Sequence, residues 1–326
     1  MSTSEDELIE QIAASAHGRR SAGLRLGMGD DAALFAPTPR TEMVLTCDWF
    51  VEGNHFLRHR HPPESVGWKC LARALSDIAA MGARPKCFLL SLALPTNLPR
   101  GWLGKFLLGL RRASGEYRCP LVGGDTTRKR EISINVTVVG EVQGGRALRR
   151  SGAKPGDRIF VSGRLGEAEL GLRKLRSMRR AHRADPRMRK HLYPEPRLEI
   201  GQWLVKSNLV SAMMDISDGI SNDLPRLCAA GRVGAYIEAA KLPLPASCTA
   251  RAKAGDTGLA LHGGDDYELL FTVPAGRAGR VPARIGKVPL SCIGEITRNR
   301  RIILRSSGRD TPLVARGWDP FRRTPR

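Results

Sequence analysis

Ser151-Gly-Ala-Lys-Pro-Gly-Asp157 divides this chain. Serine, glycine, proline and aspartate crowd into seven positions, a composition that interrupts helices and strands alike. The chain has 326 residues, more than one hydrophobic core usually supports. Two domains are therefore expected, 1–150 and 151–326, joined at this segment.

Working back from the joint, residues 132–142 alternate and are rich in β-branched side chains, which predicts a strand. Helical spacing predicts helices over 98–114 and 63–81, the second with Val66, Cys70, Leu71, Ala74, Leu75 and Ile78 on one side. Short apolar runs at 87–94 and 43–46 predict strands. Residues 5–16 carry Leu8, Ile9, Ile12 and Ala13 at helical spacing, after a Ser4 cap with Glu7 in the capping-box position. Working forward, strands are expected over 159–162 and 267–273, and helices over 166–177, 197–206 and 219–230. Each half mixes strands and helices, so the class is α/β (α+β).

Hydrophobic residues make up 41% and charged residues 26% of the chain, an ordinary globular composition. The first residues are acidic and lack the basic and apolar regions of a signal peptide. No apolar run approaches a bilayer's thickness, so a soluble cytoplasmic protein with no membrane partner is expected. The seven cysteines are odd in number and widely spaced, with no C-x-x-C pair. That argues for reduced thiols over a disulfide framework or zinc site. His55, His59 and His61 lie close together, but their spacing matches no usual zinc pattern, and surface histidines are expected. The net charge is +21, from 53 basic and 32 acidic side chains. Arginine is spread along the whole chain, with one concentration containing Arg179, Arg180, Arg183 and Arg187. This is read as an arginine-rich background on solvated surfaces, with no specific nucleic-acid partner.

The scarce acidic residues gather beside glycine, serine and threonine. The groups are Gly29-Asp30-Asp31, Thr46-Cys47-Asp48, Ser76-Asp77, Gly123-Gly124-Asp125-Thr126-Thr127, Asp215-Ile216-Ser217-Asp218-Gly219 and Gly263-Gly264-Asp265-Asp266. Magnesium takes hard oxygen ligands, usually a few carboxylates completed by substrate phosphates. Glycine beside a carboxylate lets the backbone offer its N–H to a phosphate. Any single group is an ordinary turn; six in one chain predict Asp-bearing turns that hold several Mg²⁺ ions on a polyphosphate. Ser76-Asp77 sits inside an apolar helical pattern, where an unpaired carboxylate is costly to bury. A metal ligand, or a cap at a break in that helix, would explain it. The P-loop, protein-kinase, dinucleotide-fold, nucleophile-elbow and H-E-x-x-H motifs are all absent.

These groups, with their flanks, resemble the thiamine-monophosphate kinase family. It belongs to the superfamily of aminoimidazole-ribonucleotide synthetase, selenophosphate synthetase and a hydrogenase-maturation factor. The resemblance rests on Gly27-Met-Gly-Asp-Asp-Ala-Ala-Leu34, on 48–56 with its Glu-Gly-Asn-His-Phe, and on Leu75-Ser-Asp-Ile-Ala-Ala-Met-Gly-Ala83. It continues through Leu121-Val-Gly-Gly-Asp-Thr-Thr127, Arg150-Ser-Gly-Ala-Lys-Pro-Gly-Asp157, Met214-Asp-Ile-Ser-Asp-Gly219 and Gly263-Gly-Asp-Asp-Tyr-Glu-Leu269.

The resemblance implies a two-domain aminoimidazole-ribonucleotide-synthetase-like fold. Its N-terminal sheet would form a homodimer interface, and its C-terminal domain would be α/β. It implies ATP-dependent phosphorylation of thiamine monophosphate to thiamine diphosphate, with ATP as co-substrate and several Mg²⁺ ions. Carried over by position, Asp31, Thr46, Cys47, Asp48, Asp77, Asp125, Asp215 and Asp218 would surround the metals. Gly124, Asp125, Arg150 and Ser217 would contact ATP, with Asp125 and Arg150 at the chemistry. His55, Asp265 and Trp318 would line the thiamine phosphate site. Two positions depart from the family's pattern. Cys47 stands where Ser or Thr is usual, so a metal contact there would need its backbone carbonyl. Asp265 stands where Glu is usual, which shifts the carboxylate by roughly 1.5 Å. Trp318 could alternatively cap the last strand. Another ATP-using member of the superfamily, or a polyanion-binding protein, is the competing reading.

Overall fold

A computed structural model of the chain describes residues 5–16, 21–178, 185–245 and 257–321. Ser4, Arg179, Arg180 and Arg183 lie outside the described residues. The chain forms two compact units. The first comprises Met1–Ile78, Ala83–Gly145 and Leu175–Asp185; the second comprises Ala79–Gly82, Arg146–Lys174 and Pro186–Arg326.

The first unit holds α1 (Glu5–Ala16), β1 (Leu24–Leu26), β2 (Leu34–Phe35), β3 (Thr41–Val51), α2 (Pro63–Ala80), β4 (Arg84–Leu94), α3 (Trp102–Glu116), β5 (Leu121–Arg128) and β6 (Ser133–Gln143). Strands β1 and β2 pair alone, and the other four form a sheet in the order β3-β6-β4-β5. Only β4 and β5 run parallel. Strand alternation turns Ile134, Val136 and Val138 of β6 and Phe88, Leu90 and Leu92 of β4 into the core, with Leu71, Leu75 and Ile78 of α2 and Phe106 and Leu110 of α3. The opposite face carries Met43, Leu45, Trp49 and Leu89, all exposed.

The second unit holds β7 (Arg158–Ser162), α4 (Glu167–Ser177), α5 (Arg189–Leu192), α6 (Leu198–Ser207), β8 (Ala212–Ile216), α7 (Ile220–Gly231), β9 (Gly234–Glu238), α8 (Gly258–His262), β10 (Glu268–Val273), β11 (Arg284–Ile285), β12 (Val288–Thr297), β13 (Ile302–Ser306) and β14 (Arg309–Pro312). Its sheet runs β14-β13-β9-β12-β7-β10-β8, with β11 on β12. Ile159, Val161, Met214, Ile216, Leu270 and Ile293 face Ile220, Leu224 and Leu227 of α7 in one core.

Two acidic groups expected in turns lie in strands, and the one read within a helical pattern lies in a helix without a break. Thr46-Cys47-Asp48 lies within β3, and Gly123-Gly124-Asp125-Thr126-Thr127 makes up most of β5. Ser76-Asp77 lies in an unbroken helix that continues to Ala80. Gly124 is tolerated in β5 because of a close approach: a Cβ there would sit 1.9 Å from the Leu90 carbonyl oxygen. His61 is not a surface residue but buried, its Nδ1 accepting the Leu57 N–H at 3.0 Å.

Candidate active site

In the first unit the two-residue period of β3 separates the Thr46-Cys47-Asp48 group. Thr46 and Asp48 project toward α2, while the Cys47 thiol lies on the other face, 3.2 Å from Asn135 Oδ1. Helix α2 answers with two residues one turn apart. Thr46 Oγ1 donates to Asp77 Oδ2 at 2.5 Å, and Arg73 Nη2 stands 3.8 Å from Asp48 Oδ1. The Arg73 guanidinium also lies over the Phe50 ring, 5.2 Å from its centroid. Three hard oxygen donors thus share one side of the sheet with one counter-cation.

Asp125 does not join them. The register runs Asp48, Val136, Leu90, Gly124 across the sheet, so Gly124 is three strand spacings from Asp48, about 14 Å. Asp125 falls on the next row, with Trp49, Asn135 and Ser91, and is exposed on edge strand β5. Asp31 is exposed in the connection between β1 and β2, its N–H donating to the Asp30 carboxylate at 2.9 Å.

His55 sits in a tight turn after β3, closed by Gly53 N–H to the Phe56 carbonyl at 2.8 Å. Its Nδ1 accepts the Val51 N–H at 3.0 Å. A nitrogen that accepts leaves the ring proton on Nε2, which is therefore the donor edge. Glu52, in the same turn, is tied to Arg58 Nε at 2.9 Å and to the Ile132 N–H at 3.0 Å. Glu52 and Arg58 also line an open cavity of about 650 Å³, along with Arg128, Lys129 and Arg130. No motif marks these cations in the sequence.

In the second unit the acidic segments lie side by side. Asp265 N–H donates to the Ser217 carbonyl at 2.7 Å, and Tyr267 N–H to the Ile216 carbonyl at 2.9 Å. Asp215 is buried on β8, opposite Leu269. Met213 N–H donates to the Arg149 carbonyl at 2.8 Å, which lays the segment bearing exposed Arg150 along β8. Trp318 does not cap the last strand: β14 ends at Pro312. Its N–H donates to the Asp218 carbonyl at 3.0 Å, and its own carbonyl accepts Asn222 Nδ2 at 2.8 Å. Its side chain thereby stands beside Gly264 and is 41% exposed. Asp265 and Trp318, 53 residues apart, flank the same turn.

Asp265 has a positive φ of 67°. Tyr267 Oη donates to its Oδ1 at 2.7 Å, and His191 Nδ1 lies 3.6 Å from its Oδ2. Beneath this turn are two buried carboxylates. Asp266 accepts the N–H groups of Gly166 and Ala168, at the start of α4. Burial nonetheless pushes its carboxyl up to about 7. Burial would likewise raise Glu268, but Lys190 at 2.6 Å and a forked contact from Arg197 at 2.6 and 2.7 Å hold it down at about 2. A third buried carboxylate, Asp223, accepts the N–H groups of Ser217 at 3.1 Å and Asp218 at 2.9 Å. Burial, then the Asp218 charge, push it up to about 7.

Among the described residues, no three His, Cys, Asp or Glu side chains gather closely enough to hold a metal ion by themselves. The donor chemistry nevertheless fits magnesium. The partial sets Thr46/Asp48/Asp77 and Ser217/Asp218 offer only hard oxygens, and each has an arginine, Arg73 or Arg226, standing against a carboxylate as a cation would. Such sets leave room for phosphate oxygens and water.

Residues 29–142 match the AIR synthase related protein, N-terminal domain, and residues 154–306 match the AIR synthase related protein, C-terminal domain. Thiamine-monophosphate kinase of Escherichia coli strain K12 is 38% identical over 306 residues, covering 91% of this chain and 92% of that protein. The same-named protein of Synechococcus elongatus is 37% identical over 302 residues, with 90% and 91% covered. The chain belongs to the thiamine-monophosphate kinase family of AIR synthase related proteins. Among solved structures, thiamine-monophosphate kinase from Stenotrophomonas maltophilia K279a superposes with a TM-score of 0.80 at 36% identity, over 93% of this chain and 97% of that one. AaThiL complexed with AMPPCP and TMP gives 0.75 at 32% identity, covering 96% of each chain. Hydrogenase maturation protein HypE in complex with ATP gives 0.77 at 19% identity, which speaks for the fold alone.

Set against this family, the residues that sequence reasoning missed are supporting ones: Arg73, His191, Asp223, Arg226, Tyr267 and Glu268. Tyr267 and Glu268 stand in the Gly263–Leu269 stretch without a role given to them, and the other four stand in none of the acidic groups.

Proposed function

We infer that this chain is a thiamine-monophosphate kinase, transferring the γ-phosphoryl group of ATP to thiamine monophosphate and releasing ADP and thiamine diphosphate. The observation that carries the reading is the likeness, over 96% of both chains, to a ThiL structure complexed with AMPPCP and TMP. The two oxygen-donor clusters and the Asp265–Trp318 turn support it.

The attacking atom is a phosphate oxygen of thiamine monophosphate, already anionic at neutral pH, so no strong general base is needed. That suits a site without a Ser-His-Asp or Cys-His arrangement. A bond forms from this oxygen to the γ-phosphorus, the bond to the β-bridging oxygen breaks, and ADP takes the electron pair. Transfer is direct and in line, without a phosphoenzyme; net retention at a chiral γ-phosphorus is the result that excludes it. Two polyanions must meet, so catalysis is mainly positioning and charge compensation. Magnesium, when bound, supplies that compensation and polarises the transferring phosphoryl group. Asp31, Thr46, Asp48, Asp77, Asp125, Asp215 and Asp218 are its proposed holders, with Cys47 contributing its backbone carbonyl alone. Gly124 and Ser217 bind ATP, and Arg150 adds a fixed positive charge beside it.

Thiamine carries a cationic thiazolium ring. The Asp265 carboxylate and the exposed face of Trp318 both suit a cation, and the His55 Nε2–H suits an acceptor on the substrate. The exposed apolar row Met43, Leu45, Trp49 and Leu89 supports a homodimer that pairs these sheets. A cytoplasmic setting is supported by the six described cysteines, all of them free.

Asp125→Ala tests the assignment. Asp125 is exposed, so the variant should keep its melting temperature while losing turnover by roughly 100-fold or more, the scale of a lost charge-stabilising group. Near-normal turnover would remove Asp125 from the site.

A further inference from the structure

Asp218 is held from two directions. Asp223, fully buried on α7, accepts the N–H groups of Ser217 and Asp218 and so fixes the backbone of their turn. Arg226, one helical turn further along α7, reaches back with Nη1 to Asp218 Oδ2 at 2.5 Å and Asp223 Oδ1 at 2.8 Å. One nitrogen makes both contacts. The planar fork that makes arginine–carboxylate pairs strong is therefore engaged with neither carboxylate alone. The Arg226 side chain is 46% exposed, while the Asp223 side chain is fully buried. The arginine has solvent to move into; the carboxylate beneath it does not.

We propose that Arg226 is a built-in counter-cation, which neutralises and positions the Asp218 carboxylate until a divalent ion displaces its guanidinium. The inference rests on the reading of Asp218 as a metal ligand. A guanidinium and a hard dication compete for the same oxygen, so the arginine lowers divalent affinity at this turn while keeping the turn in its liganded shape. Asp223 keeps its two backbone N–H donors after the exchange. Arg226 is thus a positioning residue, and its removal makes an unusual prediction: metal should bind more tightly. Loss of a merely structural contact would loosen the turn and weaken binding.

Mn²⁺ shares magnesium's preference for oxygen ligands and can be counted directly. The full chain, free of nucleotide, is titrated with Mn²⁺, and the unbound ion is followed by electron paramagnetic resonance. Arg226→Met should tighten one Mn²⁺ site by about thirtyfold, the factor for removing a unit charge some 4 Å from a dication even in a water-like dielectric. Arg226→Gln, which can still hydrogen-bond Asp223, should move in the same direction and covers the case where the methionine variant does not fold. Arg226→Lys keeps the charge and should stay near the wild type. Unchanged or weaker binding in the folded neutral variants, with the site still lost in Asp218→Asn, overturns the inference and leaves the ligand reading standing. Unchanged stoichiometry in Asp218→Asn overturns the ligand reading, and the inference with it.

Discussion

Glu268 shows how the turn at Asp265 is kept in place. Its carboxylate is fully buried, yet Lys190 and Arg197 hold it ionised and Ser162 donates to it. Replacing one partner of such a group leaves the others buried without their counter-charge. Glu268→Gln should therefore lower unfolding free energy by about 3–5 kcal/mol, measurable by urea titration. Because its folded pKa lies below the ordinary value, Glu268 contributes stability that is present above the unfolded value of 4.5 and lost as pH falls toward about 2. Asp266 acts with the opposite sign. Its pKa is raised from 3.8 to about 7, so the folded state prefers it protonated and stability declines as pH rises through that interval. Asp266→Asn should flatten the decline between about pH 4 and pH 7 in a series of denaturation midpoints. An equally steep decline in the variant would place the titrating group elsewhere. The Asp265 departure noted in the sequence is accompanied by the contacts to Tyr267 and His191. Those contacts could not be foreseen, because His191 is remote in sequence and Tyr267 reaches Asp265 only through a left-handed backbone.

At the scale of elements, the long amphipathic helices and the alternating strand β6 were legible because one face of each is buried. Helices α1, α2, α3 and α7 fall within a few residues of their expected bounds. The acidic groups stand out in the sequence as a composition, but the elements that carry them do not. Glycine and aspartate favour turns, and the sequence does not reveal that β5 is an edge strand beside β4, where a glycine-rich segment meets the Leu90 backbone. Strands β13 and β14 bury none of their residues, and the alternation of β12 is interrupted by a register shift between Cys292 and Gly294, so none of the three carries a clear two-residue period. The seat of Trp318 depends on Asn222, 96 residues earlier. Helices α2 and α3 make a contact no pattern announces. A Cβ on Gly67 would lie 2.0 Å from the Phe106 carbonyl oxygen, and one on Gly109 would lie 1.9 Å from that of Glu64. Gly109→Ala must separate the two helices, an overpacking cost of about 1–3 kcal/mol. A shift in thermal midpoint with unchanged KM for ATP is expected; an unshifted midpoint would mean the helices already have slack.

At the scale of the whole molecule, charge says less than arrangement. The excess of +21 is spread along the whole chain; of the carboxylates proposed for the site, Asp48 and Asp218 each stand against an arginine. The outer face of the first unit's sheet raises a different question. Leu45 and Trp49 are 69% and 57% exposed on it, and a contiguous apolar row of this kind marks an association surface. Leu45→Asp should convert the proposed dimer to monomer, seen by light scattering on a sizing column. A wild type that is already monomeric would contradict the assignment of that face. The proposed reaction itself is open to direct observation. Its most direct test is ³¹P nuclear magnetic resonance of the purified full chain incubated with Mg-ATP and thiamine monophosphate. The substrate's monophosphate resonance should give way to the paired signals of thiamine diphosphate, with one ADP formed per turnover. ATP consumption without a thiamine-bound diphosphate, or no consumption in the substrate's presence, would contradict it.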